Sequence, residues 1–117
     1  MSPVPAQARH QLQSLLEARS WPGDIDAILL AVHEALINSQ RHAGGATSAT
    51  VEVEDGTALV VEVRDEGPGF DLAEHASDPP DPLAERGRGL WLITQIAVSW
   101  DVRQHGGETC LRLHFKP

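Results

Sequence analysis

One cysteine, Cys110, is the whole thiol content of this 117-residue chain. With no second thiol, an intrachain disulfide is excluded, and a reducing, cytoplasmic setting is the expectation. Cationic side chains are scarce too: 9 Lys and Arg stand against 17 Asp and Glu, for a formal charge of −8. Binding a nucleic-acid backbone requires a run of positive charge, so that class of partner is excluded. An acidic surface instead suits a protein partner with basic patches. No apolar run approaches the ~20 residues of a membrane span, so a membrane partner is not expected either. Met1-Ser2-Pro3-Val4-Pro5 has neither the charge nor the apolar stretch of a signal peptide.

What remains is an ordinary globular composition, 41% hydrophobic and 22% charged, on a length that fits one domain over residues 1–117. Leu12, Leu15 and Leu16 recur at helical spacing and predict an amphipathic helix over about residues 6–18. Ser20-Trp21-Pro22-Gly23 breaks it. Asp24 is an N-cap candidate for a longer helix through residue 43, closed by Gly44-Gly45. Its apolar face is Ile25, Ile28, Leu29, Val32 and Leu36, whereas Glu34, Asn38, Arg41 and His42 fall on another face. Two alternating runs, 49–54 and 58–63, flank Asp55-Gly56, a strong hairpin signal. Residues 71–86 hold Pro79, Pro80 and Pro82 with few large apolar groups, and are expected to form a lid or a disordered loop. A third helix over about 89–98 leads to strands near 100–103 and 111–115, joined across Gly106-Gly107. Strands cluster in pairs and helices can cover one face. The fold class expected is therefore α+β, a two-layer sandwich with a mixed, mostly antiparallel sheet and three helices.

Three segments carry chemistry. In Glu34-Ala35-Leu36-Ile37-Asn38-Ser39-Gln40-Arg41-His42, Glu34 and Asn38 project side by side at i and i+4. Phosphoryl transfer needs a carboxylate at the nucleophile and an oxygen ligand for a Mg²⁺ ion at the phosphates. Arg41 and His42, one turn on, could meet a phosphate oxygen. Taken alone, the segment is better explained as a solvated polar stripe. In Asp65-Glu66-Gly67-Pro68-Gly69-Phe70, a carboxylate ends a strand where it could accept from an exocyclic amine such as adenine's. Gly67 and Gly69 would let a flat ring approach, and Phe70 could wall the pocket. A plain turn has the same composition. In Gly87-Arg88-Gly89-Leu90, glycines open a helix whose free N–H groups suit an anion. No Gly-Lys-Ser/Thr follows and no parallel β-α-β unit surrounds it, so neither a Walker loop nor a dinucleotide fingerprint is present.

In that order and context, the three segments resemble the N box and the two glycine boxes of the GHKL ATPase superfamily, over residues 24–115. The resemblance implies the histidine kinase-like ATPase fold, with ATP and Mg²⁺ bound between sheet and helices under the 71–86 lid. It makes Glu34 the general base, Asn38 the Mg²⁺ ligand, Asp65 the adenine-binding acid, and Gly67, Gly69, Gly87 and Gly89 the loop glycines. Within the superfamily the chain looks like the small stand-alone anti-sigma serine kinases. That likeness is carried by Asp26-Ala27-Ile28-Leu29-Leu30-Ala31-Val32-His33-Glu34-Ala35-Leu36-Ile37-Asn38, by Arg41-His42-Ala43 and by Glu85-Arg86-Gly87-Arg88-Gly89-Leu90-Trp91-Leu92-Ile93. Members of that family phosphorylate a serine on an anti-anti-sigma partner and otherwise bind a sigma factor, usually as homodimers. On this likeness Glu34 would activate the partner's serine, and Arg86 or Arg88 would touch the γ-phosphate. The family commonly starts with a strand, which residues 1–5 hardly provide.

Two other functions fit the same boxes. One is the catalytic domain of a histidine kinase, although His10 in Ala8-Arg9-His10-Gln11-Leu12 lacks the expected acidic neighbour and trailing proline. The other is a nucleotide-gated binding module without phosphotransfer. Among the remaining side chains, His10, His75, His105 and His114 show no zinc-ligand spacing. Trp21, Trp91 and Trp100 are expected as core or interface anchors. Cys110 is expected to be a small buried apolar group.

Overall fold

Asp24 does begin the long helix: its Oδ1 accepts a hydrogen bond from Ala27 N at 3.1 Å, satisfying one of the first-turn donors. The helix, α2, runs Ile25–Ala43 and ends at Gly44 with φ 74°, a left-handed cap. Before it, α1 spans Pro5–Ala18, starting one residue earlier than expected because proline suits the first helical turn. The structure is a computed structural model and describes residues 1–54, 58–76 and 88–117. Four strands follow the helices in two pairs: β1 (Ala46–Glu54) with β2 (Ala58–Asp65), and β3 (Ser99–His105) with β4 (Glu108–Phe115). Between the pairs lie a 3₁₀ turn, Leu72–His75, and α3, Arg88–Ile96.

The strand order is β1-β2-β4-β3. Every described pairing is antiparallel, including the central one, where Val61 faces Leu113 and Val63 faces Leu111. The α+β layering is as expected, but the mixed sheet is not: two local hairpins joined through β2 and β4 leave no parallel pair among the described strands. The Asp55-Gly56 turn itself lies outside the described residues.

Alternation sorts the sheet into two faces. Leu59, Val61, Val63, Leu111, Leu113 and Phe115 are buried in one cluster with Leu12 and Leu16 of α1, Leu29, Val32 and Leu36 of α2, and Ile93 of α3. Each such side chain removed from water contributes about 1.5–3 kcal/mol, so this shared core holds the helices to one face. The opposite face carries Glu62, Arg64, Cys110 and Arg112. Cys110 is therefore not the core residue expected; it is half-buried on the outer face, because Leu111 and Leu113 claim the inward register.

Of the expected lid, residues 71–76 are ordered. Asp71 caps the 3₁₀ turn by accepting from Ala73 N at 3.0 Å. Leu72 is anchored in the core. Residues 77–86 of that segment lie outside the described residues. The α3 helix closes at Ile96 rather than Val98, since Val98 N already donates to His114 O at 2.8 Å and so joins the sheet.

Candidate functional site

Asp65 ends β2 on the helix-facing side and is almost fully buried, at 7% exposure. A carboxylate so placed needs donors, and two reach it. Ser39 Oγ, from α2, donates to Asp65 Oδ2 at 2.7 Å. Gly67 N donates to Asp65 Oδ1 at 2.8 Å. The loop after Asp65 is then tied to two more strands: Thr109 Oγ1 on β4 donates to Gly67 O at 2.8 Å, and Gln104 Nε2 on β3 donates to Pro68 O. A carboxylate offers about four acceptor positions, of which two are used here, so Asp65 keeps capacity for an exocyclic amine. An amine such as adenine's is a donor of the kind that acceptor takes.

The loop glycines have a second reason beyond ligand approach. Gly69 has φ 79°, and a Cβ there would sit 2.8 Å from the Gln104 amide. At Gly67 a Cβ would lie 3.0 Å from Ala43 Cβ, so the end of α2 crowds the loop. Their first duty is to the protein's own packing.

Glu34 and Asn38 are half-buried on α2, one turn apart, next to buried Ala35 and Leu36. Glu34 reaches the first turn of α3, where its carboxylate lies against Gly89. Asn38 precedes Ser39, so one α2 segment supplies Glu34, Asn38 and the donor to Asp65. A neutral hard oxygen at Asn38 suits Mg²⁺. Arg41 and His42 are exposed on the last turn of α2. His42 comes near the loop through its backbone carbonyl, 3.5 Å from where a Cβ at Gly67 would stand. Arg88 is exposed at the start of α3, and Phe70 and Leu90 are half-buried against the core. Arg86 and Gly87 lie outside the described residues.

Sequence reasoning missed Ser39, Gln104 and Thr109. A signal existed for Thr109: it occupies an inward position in the alternation with Leu111 and Leu113, where a polar residue calls for a partner. Ser39 sat inside the first motif, masked by its neighbour Asn38.

The outer face gathers charge without joining this site. Glu62, Arg64, Asp101, Arg103, Cys110 and Arg112 line an open cavity of about 670 Å³. Arg64 donates to Glu62 at 2.7 Å and holds its carboxyl below the usual range. Burial, with the Glu62 carboxylate beside it, pushes the Cys110 thiol up to about 11.

The model of the histidine kinase-like ATPase domain matches residues 4–115, nearly the whole chain. The chain belongs to the histidine kinase-like ATPase domain family. Among solved structures, this ATPase domain is similar to the Acinetobacter baumannii histidine kinase AdeS, with a TM-score of 0.54 and 18% identity. The match covers 80% of this chain and 47% of that one, so the chain spans about half the length of that kinase. At that identity the likeness is one of fold. No curated protein matches the sequence. Membership in the ATPase domain family places the chain in the GHKL superfamily and supports ATP binding, usually with Mg²⁺.

Proposed function

We propose that this ATPase domain is a protein-serine kinase that doubles as an anti-sigma factor, phosphorylating an anti-anti-sigma partner and otherwise sequestering a sigma factor. One observation carries the catalytic part: a single stretch of α2 holds Glu34 against the start of α3 while Ser39, five residues on, holds Asp65. This supports a reading in which α2 both braces the adenine-binding Asp65 and carries the group that activates a nucleophile, the kind of positioning that lowers a phosphoryl-transfer barrier. The serine assignment rests on the sequence likeness around residues 26–43 and 85–93.

In this reading Asp65 accepts from the adenine amine. Glu34 takes the proton of the incoming serine hydroxyl as its oxygen bonds to the γ-phosphorus and the β–γ bridge breaks to leave ADP. Asn38 would hold Mg²⁺, which neutralises charge on the phosphates. Arg41, His42, Arg86 and Arg88 would assist at the phosphates, and Gly87 and Leu90 would frame them. A cytoplasmic homodimer is the proposed working form.

The test is incubation with γ-labelled ATP and Mg²⁺, alone and with candidate anti-anti-sigma proteins. Acid-stable label on a partner's serine is the expected result. Acid-labile label on this chain would instead make it a histidine kinase catalytic domain. Nucleotide binding with no transfer to any partner would leave a nucleotide-gated binding module.

A further inference from the structure

Gly89 stands at the second position of α3, and nothing in its backbone asks for glycine. Its φ is not among the positive values found at Gly44, Gly45, Gly69, Gly106 and Gly107. Within a helix, alanine is the better residue on propensity. What glycine provides is space, and one side chain takes it. A Cβ at Gly89 would collide with Glu34 Oε2, and would lie 3.2 Å from Glu34 Cδ and 3.5 Å from Glu34 Cβ. These three atoms are the nearest to that position among the described residues, and all belong to Glu34. The colliding atom is the free end of a side chain with several rotatable bonds. An added methyl group would therefore move the carboxylate and leave the helix where it is.

We propose that Gly89 is a positioning residue for Glu34: the missing Cβ lets the carboxylate lie against the first turn of α3 and fixes its direction. The inference rests on the reading of Glu34 as the base, and it gives Gly89 a role separate from phosphate approach. A base displaced by an ångström loses its near-attack geometry, and such a displacement costs about 10²-fold in rate. The fold is indifferent to the same change or gains from it. Stability and transfer should therefore part company at this residue.

The test compares Gly89→Ala, Glu34→Gln, their double variant, and the pair Glu34→Asp and Glu34→Asp/Gly89→Ala. Three quantities are read: thermal unfolding of the nucleotide-free protein, Mg-ATP affinity by calorimetry, and phosphate release from Mg-ATP, in which water replaces the serine hydroxyl as the nucleophile that Glu34 deprotonates. Gly89→Ala should unfold at or above the wild-type temperature, bind Mg-ATP as wild type does, and lose about 10²-fold in phosphate release. It should add nothing to Glu34→Gln, and it should cost little beside Glu34→Asp, whose shorter side chain clears the methyl group. The Asp pair also reads the contact should Gly89→Ala alone fold poorly. Wild-type phosphate release by Gly89→Ala would overturn the proposal. So would an equal loss of Mg-ATP affinity on adding Gly89→Ala to the wild-type and Glu34→Gln backgrounds, because the glycine would then serve the nucleotide directly. Failure of the underlying reading has a different signature: Glu34→Gln alone would release phosphate at the wild-type rate.

Discussion

Asp65 is held by one α2 hydroxyl and one loop amide, and the two contacts divide the consequences of mutation. Ser39→Ala leaves Asp65 Oδ2 buried without its donor. An orphaned buried acceptor costs about 1–3 kcal/mol, so the unfolding midpoint in denaturant should fall while m is unchanged. Asp65→Asn keeps the volume but turns one acceptor into a donor facing the amine position. Preference for ATP over GTP should shrink, and calorimetry with both nucleotides checks it; undiminished discrimination would remove Asp65 from adenine recognition. Cys110 allows a pH prediction. Its folded-state value, raised from 9.0 to about 11, means the native thiol keeps its proton where the unfolded one has lost it. The stability this contributes is complete below 9.0 and is lost as pH climbs through about 11. Alkylation of the native protein at pH 8–9 should accordingly be much slower than in denaturant, with the two rates converging above about 11.

At the level of elements, α2 was the most readable. Its cap, its stop and its polar stripe all follow from local rules, and each appears at the expected residue. Removing the cap should therefore have a local price: Asp24→Ala should cost about 1 kcal/mol, measured by thermal or denaturant unfolding, without altering nucleotide affinity. The strands were readable as elements but not in detail. Both β1 and β2 run further than their alternating cores, to Ala46 and Asp65, because pairing across the sheet recruits residues of no β preference. Cys110 was misjudged for a related reason. Periodicity shows that strand neighbours alternate, but only tertiary packing shows which face is covered, and a one-residue shift reverses every assignment. Ser39 and Thr109 escaped because each acts through a residue 26 or 42 positions away, at Asp65 and Gly67. No short-range pattern encodes that distance.

At the scale of the whole molecule, one helix layer packs on one face of the sheet. The β2–β4 pairing brings Thr109 to the Asp65 loop, and α2 packed on β1 and β2 brings Glu34, Asn38 and Ser39 to the same side. Because these groups meet only in the folded chain, Mg-ATP should bind the native state alone and raise its stability. At a hundredfold excess over Kd that linkage amounts to about 2.7 kcal/mol, visible as a concentration-dependent rise in unfolding temperature. The three α2 residues should divide this effect by role. Asn38→Ala should abolish the rise obtained with Mg-ATP, since it removes the half-buried oxygen proposed to hold the ion. Glu34→Gln should keep the full rise and lose transfer, because an isosteric amide still fills the space beside Gly89 but cannot take a proton. If Asn38→Ala retained the whole Mg-dependent increment, the metal would have to be held elsewhere, and the assignment of α2 as the shared platform for nucleotide and nucleophile would fall with it.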